Sequence, residues 1–457
     1  MGHVVSRAFV FVAATFLGGC GSNHEGVAPS GVDSGRGDDG GEGEGAAGED
    51  SSGYPAFSVD APQIQKNDGI VLTSPVIVTV TWPGDTNAPM WEAFGDAIGA
   101  SPYWAATTAP YGVGPATSGP SNHVRMTQPL PATLAFDDVE NFVMAAVQAA
   151  QSDGGVAEGG SPDAGAPNPP WPLPTLDANA NSQTIYSLFI PPSTRETDVT
   201  NGSSFCLQGG FGYHDVVVVG TTSVVFSVTL ECPGQTLPSL QEGASHEAIE
   251  AATNPFETTG YKGFDADHAA WDIYTGYQDE LADACEYWDD SYYQESGNFP
   301  YWVQRSWSNT SALAGHDPCV PAPAGPYHGM TLLPSQESTV RIDQSALGGP
   351  ATNTKGFTAT LGQPLTFQVG YFSDGSAAPW TIAYDFPAKL STMGNSVSNG
   401  KATVAIDQTS GQNGDMANVT VTVTAKGALG FHVMAITWGS MSRDSLPHFL
   451  PLVIVDE

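Results

Sequence analysis

Residues 243–256 read GASHEAIEAATNPF. Pro255 closes this stretch, because the residue before a proline is driven out of the helical region; Asn254 holds that position. A helix ending there carries His246, Glu247 and Glu250. Side chains four residues apart share a helix face, so His246 and Glu250 point the same way. Glu247 sits about 100° around the axis from His246. The same residues fit a plainer reading, a buried helix whose His246 and Glu250 hydrogen-bond to nearby loops.

The pattern H-E-x-x-E is one residue away from H-E-x-x-H, in which two histidines bind zinc and the glutamate acts as general base. Zinc accepts imidazole nitrogen and carboxylate oxygen, so His246 and Glu250 are expected ligands and Glu247 the expected base. A carboxylate in place of an imidazole lowers the ion's net charge, which weakens its Lewis acidity and raises the pKa of its bound water. A catalytic site needs a third protein ligand. The candidates are His214 in Gly212-Tyr213-His214-Asp215, His268 in Asp265-Ala266-Asp267-His268, and Asp283; the sequence does not choose among them. Asp265, Asp267 and Asp272 offer oxygen ligands for calcium, but without a D-x-D-x-D-G loop. No G-x-S-x-G supports a serine nucleophile.

Upstream, Ile70–Thr73 and Val76–Trp82 read as buried strand, Met90–Ile98 as a helix, and Phe136–Ala150 as a second helix with Asp137 and Asp138 at its positive end. Thr184–Ile190, Val216–Val219 and Val224–Leu230 read as strands. Downstream of the signature helix, another is expected over 269–287. Residues 152–173 are low-complexity and read as a surface insertion. Beyond Pro326 short strands recur between turn residues: Thr339–Asp343, Phe357–Leu361, Leu365–Phe372, Trp380–Phe386, Ala402–Ile406, Val419–Thr424, Phe431–Trp438 and Phe449–Val455. That spacing predicts an immunoglobulin-like β-sandwich over 329–457, following an α+β, zincin-like domain over 59–328.

The 457 residues carry 13 Lys plus Arg against 48 Asp plus Glu, a formal net charge of -35, and such a field repels nucleic acid. At the N-terminus, Arg7, the apolar run Ala8–Leu17 and Leu17-Gly18-Gly19-Cys20 describe a signal peptide over 1–19, too short to span a bilayer permanently. The ending resembles a bacterial lipobox, which implies cleavage before Cys20 and lipidation of its thiol. Residues 20–58, rich in Gly, Ser, Asp and Glu, are expected to form a disordered acidic stalk. The chain is thus expected in a bacterial cell envelope, lipid-anchored, at the outer membrane or cell surface. The remaining cysteines, even in number and in an exported chain, suggest disulfides. Cys206–Cys232 and Cys285–Cys319 are the expected pairs, since each brackets one compact stretch.

Several short motifs, in order, resemble the Exordium, or phosphate-induced, secreted proteins and their bacterial relatives. They are Ser101-Pro102-Tyr103-Trp104, Tyr111-Gly112-Val113-Gly114, Cys206 with Gly212-Tyr213-His214, Cys232-Pro233-Gly234-Gln235, and Ser245 to Phe256. Trp302–Asn309 followed by Cys319 continues the series. The resemblance spans about residues 60–325 and implies an extracellular protein without an agreed enzymatic activity. Two functions are therefore expected in competition. One is a zinc-dependent hydrolase, a metallopeptidase. The other is a non-catalytic surface protein that binds a peptide or cell-surface polymer, with Glu286–Tyr293 as a candidate recognition surface.

Overall fold

The structure, a computed structural model, describes residues 53–152, 168–197, 204–208, 212–256, 260–288, 290–392, 395–439 and 448–457. The lipobox with Cys20 and residues 153–167 of the expected insertion lie outside the described residues. Among the described residues no helix is long and apolar enough to cross a membrane.

The first unit is built on a five-stranded sheet with lateral order His123–Arg125, Val76–Thr81, Thr184–Ile190, Thr222–Leu230, Gly212–Val219. The first four strands are parallel, and the last is antiparallel to its neighbour. Gly220, at φ +66°, makes the tight turn between the last two in chain order. Parallel neighbours need crossovers long enough to hold a helix. Helix Ala88–Ile98 fills one of these and helix Phe136–Ser152 another. Helices and strands alternate here and helices cover both faces of the sheet, an α/β arrangement.

Each face has its own core. Val139, Val143 and Val147 of the helix Phe136–Ser152 pack with Val78, Val80, Leu188 and Phe226. On the opposite face, Trp91, Phe94 and Ile98 meet Ile185, Phe189 and Val225, together with Ala244, Ala248 and Ile249 of the signature helix. Trp91 stacks on Phe189 with ring centroids 4.2 Å apart. A fully buried aliphatic or aromatic side chain of this kind stabilises by about 1.5–3 kcal/mol. Trp171, expected on a surface insertion, is instead a core residue, its ring 5.1 Å from that of Tyr186. A tryptophan flanked by prolines is low in complexity but still carries a large apolar area, and the sheet claims it.

The second unit is a β-sandwich. A four-stranded sheet, His328–Leu332, Pro364–Ser373, Met416–Ala425 and Lys401–Ile406, faces a six-stranded one. In the second sheet Ala351–Ala359 runs parallel to His448–Asp456, whose other neighbour is Phe431–Trp438. Phe367, Val369, Val419, Val421, Met434, Ile436 and Leu452 fill the space between. Each of the eight strands expected here occurs.

Two further expectations change. The stalk was expected to reach residue 58, yet Phe57 lies against Gly370, where an added Cβ would come within 2.6 Å of its ring. Asn413 accepts the Ala56 N–H at 3.0 Å, which ties the same segment down. Tyr54, Pro55 and Phe57 supply apolar surface that the acidic tract before them lacks. The helix expected over 269–287 is broken. Ala269–Thr275 ends at Gly276 (φ +76°) and Tyr277 (φ +65°), and only Asp283–Glu286 is helical beyond. Gly276 takes the left-handed position that commonly terminates a helix.

The two units are joined by packing. Trp271 and Tyr274 meet Phe449 with centroids 5.2 and 4.9 Å apart. Tyr277 donates to Gln344 at 2.6 Å and Tyr274 to Asp385 at 2.9 Å.

Candidate metal centre

The signature helix runs Leu237–Thr253. Thr236 caps it reciprocally with Ser239, and its last turn closes with Asn254 N–H to Glu250 O at 2.7 Å. From Gly243 to Thr253 every residue is buried, so its polar side chains must find partners inside the protein. Ser245 does so by donating to Glu242 O at 2.7 Å and accepting the Gln304 N–H at 3.0 Å.

His246, Glu247 and Glu250 face a space bounded by two other elements. The antiparallel edge strand supplies His214 and the broken-helix segment supplies Glu280 and Asp283. His246 Nε2 lies 3.1 Å from Glu250 Oε2 and 3.5 Å from Asp283 Oδ1. His214 Nδ1 lies 3.5 Å from Glu247 Oε2 and 3.7 Å from Glu250 Oε2. Six atoms here are buried without a hydrogen-bond partner among the described residues: His214 Nδ1, His246 Nε2, Glu247 Oε2, Glu250 Oε2, Glu280 Oε2 and Asp283 Oδ1. Orphaned polar atoms inside a protein cost about 1–3 kcal/mol each, so their convergence calls for a common partner.

The surrounding hydrogen bonds aim these atoms. His246 Nδ1 donates to Gln304 Oε1 at 3.0 Å, and Gln304 Nε2 in turn donates to Ala282 O at 2.7 Å. The bare nitrogen of a neutral His246 is therefore Nε2. Glu250 Oε1 accepts the backbone N–H groups of Ala282 and Asp283, both at 3.2 Å, leaving Oε2 for the centre. Those N–H groups reach Glu250 only because the chain turns at Gly276 instead of continuing as helix. Asn254 ties the elements together: its amide donates to Glu280 Oε1 at 3.0 Å, and its Oδ1 accepts the Gly260 N–H at 2.8 Å. Gly212 abuts Glu247, where an added Cβ would come within 2.8 Å of its Cγ.

Negative charge dominates. Burial opposes charging His214, but Glu280, Glu247 and Glu250 outweigh it and push its pKa up to about 10. His246 is likewise driven well above its usual range, against burial, by Glu250, Glu247 and Asp283. Burial and then Glu250 raise Asp283, and burial raises Glu247 despite the two histidines. Burial would raise Glu250 too, but His246, His214 and the Asp283 N–H hold it below its ordinary value. Lys262 offsets one acid, binding Glu280 at 2.7 Å. In the metal-free protein the protonated rings of His214 and His246 supply the positive charge that faces Glu247, Glu250 and Asp283.

A tetrahedral ion with ligands at 2.0–2.2 Å has ligand atoms about 3.4 Å apart. His246–Glu250 and His246–Asp283, at 3.1 and 3.5 Å, match that edge length, so these residues suit zinc. Of the three candidates for a further ligand, the fold brings Asp283 and His214 to the centre and leaves His268 out. His268 instead binds Asp265 at 2.8 Å and faces Asp60 at 3.5 Å, where its pKa rises to about 9. Its 3-10 turn, Ala266–His268, packs toward the N-terminal segment and the sandwich. The aspartates considered for calcium have separate partners: Asp272 accepts the Phe264 N–H and Asp265 the Gln63 N–H. They form no metal-sized group among the described residues.

Sequence reasoning missed Gln304, Glu280 and the bridging role of Asn254. Gln304 lies in Trp302-Val303-Gln304, where nothing local marks a polar residue as buried. Both disulfides, Cys206–Cys232 and Cys285–Cys319, are formed. Trp288 of the acidic aromatic stretch is buried beside the second bridge, 4.1 Å from the His448 ring, which removes it from any recognition surface.

No family model matches the sequence, and no curated protein matches it. Among solved structures the chain is similar to the ASH / PapD-like domain of human CEP192 (PapD-like domain 7), at 10% identity and a TM-score of 0.15, over 22% of this chain and 80% of that one. A likeness of that size carries no argument.

Proposed function

We propose that this chain is a zinc-dependent hydrolase acting on peptides, with His246, Glu250 and Asp283 as ligands and Glu247 as general base. The observation that carries the reading is the convergence of unpartnered buried atoms, from a helix and a broken-helix segment, at tetrahedral spacing. The ion would polarise a scissile carbonyl and lower the pKa of a bound water. Glu247, one residue along the helix, would serve as the base toward that water, and burial raises its pKa in the direction a general base needs. His214 Nδ1 faces the Glu247 carboxylate at 3.5 Å. Gln304 fixes the tautomer of His246.

A zincin-like reading of the N-terminal unit draws support from the reversed edge strand beside the signature helix. Gly212–Val219 ends the sheet, and among the described residues no strand pairs with its outer side. Such an edge suits an extended peptide, which would add as a further strand. The Exordium-like resemblance and the lipid-anchored envelope location rest on sequence motifs alone and belong to the same proposal.

Burial favours a second reading. His214, His246, Glu247, Glu250 and Asp283 are each at most 5% exposed, so a structural metal in a non-catalytic surface protein fits equally well. Metal analysis and substitution separate the two. The catalytic reading expects about one zinc per chain, Glu247→Gln that keeps zinc while losing peptide hydrolysis, and His246→Ala that loses both. Bound zinc with no peptidase activity, unchanged by Glu247→Gln, supports the structural role. A metal-free protein sinks both.

A further inference from the structure

The unpartnered atoms form two groups rather than one. His246, Glu250 and Asp283 make the first; His214, Glu247 and Glu250 make the second, and Glu250 belongs to both. The edges of the second, 3.5 Å from His214 Nδ1 to Glu247 Oε2 and 3.7 Å to Glu250 Oε2, also suit a coordinated cation.

The hydrogen bonds of His214 strengthen this. Its Nε2 lies 3.2 Å from the Asn254 carbonyl and 3.5 Å from Glu280 Oε2, both acceptors. Nε2 therefore keeps its hydrogen, and Nδ1 faces two carboxylate oxygens across a space that holds either its own proton or a cation. Without one of these the arrangement is repulsive. Side chains of 0–2% exposure leave no room for bulk water to screen it. The same logic holds for His246, whose Nδ1–H is committed to Gln304. Each histidine thus turns one nitrogen toward its own set of oxygens.

We propose that a second divalent cation binds His214, Glu247 and Glu250, with Glu250 bridging the two ions. This rests on the first ion being held as described above. Two cations sharing one carboxylate repel each other, so the second binds more weakly. Its binding converts Glu247 from base to ligand, and excess metal therefore silences the centre reversibly. The loss expected is about 100-fold or more, the lower end of what a general base contributes.

The test is equilibrium dialysis of the full chain, disulfides intact, against rising zinc alone, with metal analysis of the protein. Wild type is expected to bind one tight and one weaker equivalent, and His214→Gln only the tight one. One equivalent in both proteins overturns the second site and leaves the first. One in wild type and none in His214→Gln places His214 in a single site and also overturns it. None in either removes the hydrolase reading together with this one. Should His214→Gln fail to fold by circular dichroism, manganese-loaded wild type decides by paramagnetic resonance. A spin-coupled pair supports two ions, and an isolated-ion spectrum overturns them.

Discussion

Gln304 shows how much of the centre depends on residues with no signature of their own. Its amide accepts from His246 and donates to Ala282, so it sets which ring nitrogen is free. Gln304→Leu is expected to lower zinc affinity by about 10–100-fold while leaving the ligands in place, measurable by competition with a chromogenic chelator. His214 carries a pH signature. Its pKa in the folded, metal-free protein is about 10, above the ordinary histidine value of 6.5. A raised pKa means that its stabilisation is complete below about pH 6.5 and is lost as pH climbs through about 10. The melting temperature of the metal-free protein should therefore fall across that window, and zinc in excess, filling the second site, should remove the His214 share of the fall. The share due to His268, whose pKa is about 9 and which lies away from the centre, should persist with zinc.

At the scale of elements, the centre depends on one departure from regular structure and on one small residue in a regular strand. The turn at Gly276 swings the following chain back so that the Ala282 and Asp283 N–H groups reach Glu250. Gly276→Val puts a β-branched residue at φ +76°, where a Cβ also comes within 3.0 Å of Ser391 O. It should cost about 1–2 kcal/mol or more and lower zinc affinity as well, readable by urea unfolding with and without metal. Gly212 on the edge strand gives Glu247 its room. Gly212→Ala should impair both hydrolysis and stability, since the added methyl presses on the buried Glu247 side chain and comes within 3.0 Å of the Val228 carbonyl, measurable by peptidase assay and urea unfolding. The helix expected over 269–287 failed for a physical reason. Apolar spacing continues past residue 276, but a glycine in the left-handed region ends a helix whatever follows it.

Across the whole molecule, the sandwich buttresses the first unit. Trp271 and Tyr274 lie on the same segment as the Gly276 turn and pack on Phe449. Removal of residues 329–457 should expose Trp271 and loosen that segment, so the truncated protein should lose zinc affinity as well as stability. Zinc dialysis paired with tryptophan fluorescence checks this. The Cys285–Cys319 bridge lies two residues past Asp283 and closes a separation of 34 residues. Its replacement by serines should cost about 3–4 kcal/mol, measured by chemical unfolding.

The sequence by itself determined the elements with strong periodicity: the eight sandwich strands, the helix with Val139, Val143 and Val147 on one face, and the signature helix with its proline end. It also determined that His246 and Glu250 share a face, by helix geometry alone. Only the tertiary structure decided which distant residues join them. His214, His268 and Asp283 were equal in the sequence. The sheet edge delivers the first, the turn at Gly276 delivers the third, and the docking of the 3-10 turn near Asp60 carries the second away. Burial decided as well, since Gln304 and Glu280 become part of a site only when packing removes water from around them. Short-range spacing fixes direction along one element; convergence of several elements on one point depends on long-range packing, which local pattern does not encode.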